Sequence, residues 1–269
     1  MGRTQQIRAG AIVLVLCTAA AASAQRPRLS PPPDLDTYVT QVLHAFEVPG
    51  AALAVVKDGA TVLAKGYGVR KLGDTTAVDA RTLFGIASNT KVFTATALGL
   101  LVEAGKIEWD EPVIRYLPAF AMFDPYVTRE LTVRDLLVHR SGLGLGAGDL
   151  LQWPPTTYTR KEIVHRLRYL KPATSFRSTY AYDNVLYLVA GELVEAVSGQ
   201  TWEDFVADHI LAKVGMTQSS TRISAIASAG NAAAAHARIG AEVRPITRFI
   251  EDSIDPAGGI NSCADDMAK

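Results

Sequence analysis

Cysteine is nearly absent from this 269-residue chain: Cys17 and Cys263 are the only two, so no disulfide framework holds the fold. The five histidines show neither HExxH nor paired CxxC spacing, so no metal site and no cofactor are expected. An excess of one charge is also lacking, since Lys+Arg 27 balances Asp+Glu 27 and no run of like charge occurs. The electrostatic footprint of a nucleic-acid partner is therefore missing. No GxSxG precedes a helical pattern, which weakens a Ser-His-Asp hydrolase on an α/β-hydrolase fold. What is present, 48% apolar and 20% charged residues, is ordinary globular composition and excludes a disordered or collagen-like chain.

The N-terminus reads as an export signal. Arg3 and Arg8 precede an apolar run from Ala11 to Ala22, and Ala22-Ser23-Ala24 supplies the small-x-small pattern that signal peptidase accepts. Cleavage after Ala24 is expected, giving a periplasmic or secreted protein. The run is about a dozen residues, short of the roughly 20 needed to span a bilayer, so no membrane span is expected after cleavage. Leu16 before Cys17 argues against lipidation, because a small residue is wanted there. Losing residues 1–24 removes two arginines and no acid, which leaves a net charge of −2 and Cys263 as the one thiol.

Residues 25–269 are expected to form one catalytic unit, with about 34–87 the start of an α/β region and about 88–269 mostly helical. Leu35, Val39, Val42, Leu43 and Phe46 share one helical stripe and predict a packed amphipathic helix over 34–46. Two apolar runs, 51–56 and 61–67, flank Asp58-Gly59, the dipeptide suited to a type I′ turn, and predict a β-hairpin. A long helix is expected from near Ser88 to Ala104, with Gly105 as its cap. The pairs Thr132/Asp135 and Thr201/Asp204 have capping-box spacing, opening helices over 136–139 and 205–211. A further helix spans 186–197, closed by Ser198-Gly199; 225–237 is ambiguous between helix and loop, and 237–246 is a weak hairpin candidate. A lone two-stranded hairpin is marginal in water, so the sheet looks short of strands.

The chemistry concentrates at two places. Ser88 and Lys91, three apart at a helix start, share one face about 5–6 Å apart at Cβ. A serine hydroxyl is inert until a base takes its proton, and a lysine does so only when neutral, which burial or nearby positive charge must enforce. The Ser88 amide, at the helix N-terminus, is a free donor for an oxyanion. Chance alone produces about one such pair in a chain this long, but among the serines only Ser88 has Lys three residues on. Of the tyrosines, only Tyr182 has Asn two residues on, at Asn184, just ahead of the helix over 186–197. A phenol beside an ammonium relays a proton, and an amide holds both a lysine and a substrate carbonyl. The plainer alternative is an exposed aromatic loop with Asn184 capping the next helix.

Taken together, Ser88-x-x-Lys91 and Tyr182-x-Asn184 resemble the paired motifs of the serine β-lactamase and penicillin-binding superfamily, nearest to class C β-lactamases and family VIII carboxylesterases. The segments 136–143, 191–199, 211–217, 256–259 and 264–269 are similar as well. The resemblance covers roughly Asp34 to Lys269. It implies an α+β (α/β) β-lactamase/transpeptidase-like fold, an antiparallel sheet with flanking helices plus a mostly helical subdomain. It also implies Ser88 as acylated nucleophile, Lys91 as proton acceptor, Tyr182 in proton relay to the leaving group, and Asn184 orienting Lys91 and substrate. The expected activity is that of an exported monomeric serine hydrolase acting through an acyl-enzyme on a small molecule or peptide: a β-lactam, a D-amino-acid peptide or a carboxylic ester. The loop 144–158, with Trp153 and Tyr158, is expected to wall the acyl pocket. The alternative is a non-catalytic module that binds or senses cell-wall peptides. The family's third motif, Lys or His then a small residue and Gly on an inner strand, is expected after Gly259, and the sequence reaches Lys269 without it; Lys71-Leu72-Gly73 lies on the wrong side of Ser88. The expectation is accordingly an incomplete sheet and a poorly soluble, weakly active fragment.

Overall fold

A computed structural model describes residues 30–269; the expected export signal lies outside the described residues. Helix α1 (Leu35–Ala45) leads into an antiparallel hairpin of β1 (Gly50–Lys57) and β2 (Ala60–Gly68). Asp58 at φ 51° and Gly59 at φ 73° make the two-residue turn with both central residues left-handed. The amphipathic α1 forms, but it is not packed as expected: none of its residues is buried and Phe46 is 73% exposed. The helix lies against β2, where Asp36 accepts hydrogen bonds from Lys65 Nζ (2.7 Å) and Tyr67 Oη (2.8 Å).

The core lies in the helical region and is built around α5 (Val185–Ser198), whose first ten residues are all buried. A helix apolar on every side has to be enclosed on every side. Packed on it are α2 (Thr90–Glu103) and, after the short α3 (Pro125–Glu130) in the chain, α4 (Arg160–Arg166), α6 (Trp202–Val206) and the short α8 (Asp255–Gly258). Gly191 of α5 permits the last contact, because a Cβ there would lie 2.4 Å from Pro256 Cγ.

α8 is stitched to the start of α2. Ile86 N donates to Ile260 O (2.9 Å), Ile260 N to Thr90 Oγ1 (3.1 Å), and Thr94 Oγ1 to Pro256 O (2.6 Å). A two-residue ladder of β3 (Phe84–Gly85) with β6 (Asn261–Ser262) continues the seam, and α9 (Ala264–Met267) follows. The weak hairpin candidate is real, as β4 (His236–Ile239) paired with β5 (Glu242–Pro245), and the ambiguous alanine-rich stretch is a 3₁₀ turn (Ile223–Ser228) running on into β4. Among the described residues the sheets are two-stranded, so the expected shortage of strands is observed.

Two capping predictions resolve differently. Thr201 caps α6 by accepting from Asp204 N (3.1 Å), and the helix passes through a π-turn (Ala207–Leu211) into α7 (Ala212–Val214). Thr132 and Asp135 exchange their hydrogen bonds but open only a 3₁₀ turn, Arg134–Leu136, and not a helix over 136–139. The chain is turned out of helical geometry by His139 at φ 57° and Gly142 at φ 95°.

Candidate active site

Ser88 sits in a 3₁₀ turn, Ala87–Asn89, that runs directly into α2. Ala87 has φ 47°, a left-handed conformation that costs a residue bearing Cβ of order 1 kcal/mol and is held by the seam to Ile260. The result is an exposed Ser88 hydroxyl above a buried Lys91. Among the described residues no acceptor pairs with the Ser88 N–H, so the free amide expected at the helix start is there.

The two sequence pairs converge. Lys91 Nζ donates to Ser88 Oγ (3.2 Å), Asn184 Oδ1 (2.8 Å) and Ala257 O (2.8 Å), and Tyr182 Oη donates to Ser88 Oγ at 2.5 Å. Nζ also lies 4.9 Å from the Tyr182 ring centroid and 5.1 Å from that of Tyr187. Burial is the dominant influence on Lys91 and pulls its ammonium below the ordinary 10.5, against the opposing pull of Tyr182, Asp183 and Asp149. With two protons directed at Asn184 and Ala257, the third position on nitrogen faces the serine oxygen, where a neutral amine would present its lone pair.

Asn184 does not cap α5 with its side chain; that role falls to Asp183, whose Oδ1 accepts from Leu186 N (3.2 Å). Tyr182 is half-buried and tilted against the buried His139 ring, centroids 4.5 Å apart, while His139 Nδ1 accepts from Asp183 N (3.3 Å). The aromatic-loop alternative therefore fails for Tyr182 and Asn184. Burial pushes the Tyr187 phenol up to about 12, which keeps it neutral behind Lys91.

A cleft of about 560 Å³ opens at Ser88, lined by Trp153, Asn184, Ile223, Ile246, Arg248 and Phe249 among others. Trp153 is where the loop reading places it. Tyr158 is not: its ring lies 4.0 Å from the Arg166 guanidinium, away from the cleft, because the capping box of Thr159 and Glu162 turns the chain into α4. Sequence reasoning missed Asp149 and His139, since a lone acid in a glycine-rich loop and a histidine in an apolar stretch carry no spacing signal. No group of three or more His, Cys, Asp or Glu suited to a metal occurs among the described residues.

A family model described as Beta-lactamase matches residues 35–269. Unguisins hydrolase ungD from Aspergillus violaceofuscus is 31% identical over 198 residues, covering 71% of this chain and 34% of that protein. Penicillin-binding protein 4 from Amycolatopsis lactamdurans is 34% identical over 180 residues, covering 65% and 45%. The octameric penicillin-binding protein homologue from Pyrococcus abyssi superposes with a TM-score of 0.74 at 26% identity over 87% of this chain and 54% of that one. A class C beta-lactamase gives 0.73 at 22%, over 87% and 61%, a likeness of fold. The chain spans about a third to a half of the length of these curated relatives.

Proposed function

The chain belongs to the β-lactamase family, and from that premise we propose that it is a serine hydrolase working through an acyl-enzyme on Ser88. The convergence of Lys91 Nζ and Tyr182 Oη on one exposed serine oxygen, with the lysine desolvated, carries this reading. Neutral Lys91 takes the Ser88 hydroxyl proton as Oγ bonds to the acyl carbon of an ester or amide. The Ser88 N–H lies where the developing oxyanion would be held. As the tetrahedral intermediate collapses, the bond to the leaving group breaks and its oxygen or nitrogen receives a proton relayed from Lys91 through Tyr182. Water then attacks the ester on Ser88, gives a proton back along the same groups, and releases a carboxylic acid and free enzyme. Asn184 orients Lys91 and the substrate.

The substrate is an ester, a β-lactam or a D-amino-acid peptide, and the apolar walls at Trp153, Ile246 and Phe249 favour an acyl group with an apolar face. The sequence of residues 1–24 supports an exported location. A fluorophosphonate assay with intact-mass readout tests the reading: one adduct is expected on the chain and none on Ser88→Ala. Saturable binding of cell-wall peptides without any adduct would instead support the non-catalytic module. Parallel turnover of a p-nitrophenyl ester and a chromogenic cephalosporin ranks the substrate classes.

A further inference from the structure

The Asn184 carboxamide has two inequivalent ends, and its chemical use depends on which end faces Lys91. Its Nδ2 donates to Asp149 Oδ1 at 3.1 Å while its Oδ1 accepts from Lys91 Nζ at 2.8 Å. Asp149 Oδ1 also accepts from Nε2 of the buried Gln152 (3.2 Å). An ammonium is a donor only, so it too demands Oδ1; neutral Lys91, the form that can accept the serine proton, keeps a proton for Oδ1 but also carries a lone pair that an amide NH₂ could meet, so the lysine alone no longer dictates the orientation. A carboxylate oxygen accepts only and admits only the NH₂ end of the amide. On the reading of Ser88 and Lys91 given above, we propose that Asp149 is a positioning residue, which locks the Asn184 amide so that Oδ1 faces Lys91 throughout the reaction.

The loop is built to hold the carboxylate there. Gly146 N donates to Tyr182 O (2.9 Å) and Asp149 N to Gly146 O (3.1 Å), so the loop is tied to the strand of chain that carries Tyr182 and Asn184. Gly148, at φ 86°, presses on α5: a Cβ there would lie 2.6 Å from Val185 Cγ1. Asp149 is thus fixed between the residues on either side of Asn184. Its charge also faces Lys91, together with Tyr182 and Asp183 from the 180–184 loop and Tyr187 from α5, while Asp255 on α8 is engaged to the Ile223 amide (3.0 Å).

Fluorophosphonate acylation rates across pH test the assignment. Asp149→Ala is expected to acylate about tenfold to a hundredfold more slowly, as small misplacements of reacting groups do. Asp149→Asn, which keeps an acceptor without dictating the orientation of the amide, falls between. In an Asn184→Ala background, Asp149→Ala should cost little more, because the residue acts through Asn184. A full additive loss in that background overturns the proposal, as does a wild-type rate in Asp149→Ala. Titration of the Lys91 ε-carbon by ¹³C NMR reads the same contact without turnover. Both variants should lower its midpoint, since a negative charge that favours ammonium is gone, and an unmoved midpoint in correctly folded Asp149→Asn sinks the idea. Absence of any adduct on the wild-type chain would refute the hydrolase reading instead, leaving the NMR arm to judge Asp149.

Discussion

On the proposed reading, exposure and burial divide the labour between Ser88 and Lys91: the nucleophile must meet substrate, and the base must lose its proton. Ser88→Ala is expected to abolish the adduct while costing the fold about 1 kcal/mol or less, since alanine is tolerated in a first helical turn; intact mass and a thermal melt check the two halves. Lys91→Arg should acylate nearly as poorly as Lys91→Ala, because a guanidinium stays protonated above pH 12 and cannot accept the serine proton. Retention of most of the rate in Lys91→Arg would move the base to Tyr182. Because only neutral Lys91 is competent and burial lowers its ionisation, the acylation rate should climb with pH and reach half its plateau below 10.5. A second titration concerns stability. Burial pushes the Asp255 carboxyl up to about 8 from 3.8, and among the described residues its Oδ2 has no hydrogen-bond partner. The folded state therefore holds this proton more tightly than the unfolded one. The stability it contributes is full below about 3.8 and is lost as pH rises through about 8, at up to about 1.4 kcal/mol per pH unit. Asp255→Asn should raise the melting temperature at pH 8 and hold little advantage at pH 4.

At the scale of elements, each part of the site depends on how a short segment is started, stopped or pressed against a neighbour. Thr201 starts the α6 segment, which buries Trp202 completely, and Thr201→Ala should cost about 1 kcal/mol in denaturant unfolding by removing the cap. Gly148 is required twice over, by its positive φ and by its contact with Val185. Gly148→Ala is therefore expected to slow Ser88 acylation more than it lowers the melting temperature, since the displaced loop carries Asp149. Equal stability and an unchanged rate would show that the loop tolerates the shift. The seam between α8 and α2 has a like role, since it delivers the Ala257 carbonyl to Lys91.

Across the whole molecule the helical region is enclosed and the hairpin is not. Among the described residues β1 and β2 pair only with each other along their length, and Val56 is 51% exposed beside the bulge at Val55/Val56. Unpaired, apolar edges template association between chains. Val56→Lys should lower light scattering at a given concentration while leaving the Ser88 adduct intact, because the hairpin lies outside the cleft; unchanged scattering would locate the sticky surface elsewhere.

The sequence by itself determined the elements whose signals are local. Asp58-Gly59 specified the hairpin, the apolar run after Asn184 specified α5, and Ser88 with Lys91 and Tyr182 with Asn184 stood out because their spacing is short and their chemistry unusual. It misjudged what depends on neighbours far away in the chain: whether the α1 stripe is covered, whether the Thr132 cap opens a helix, and whether Tyr158 faces the cleft. Only the tertiary structure brought Tyr182 Oη to Ser88 Oγ, buried Lys91 enough to lower its ionisation, and placed Asp149 behind Asn184. Those relations join residues dozens of positions apart, 94 in the case of Ser88 and Tyr182, and they follow from the packing of α2, α5 and α8. Hydrogen-bond direction and desolvation exist only once that packing has excluded water.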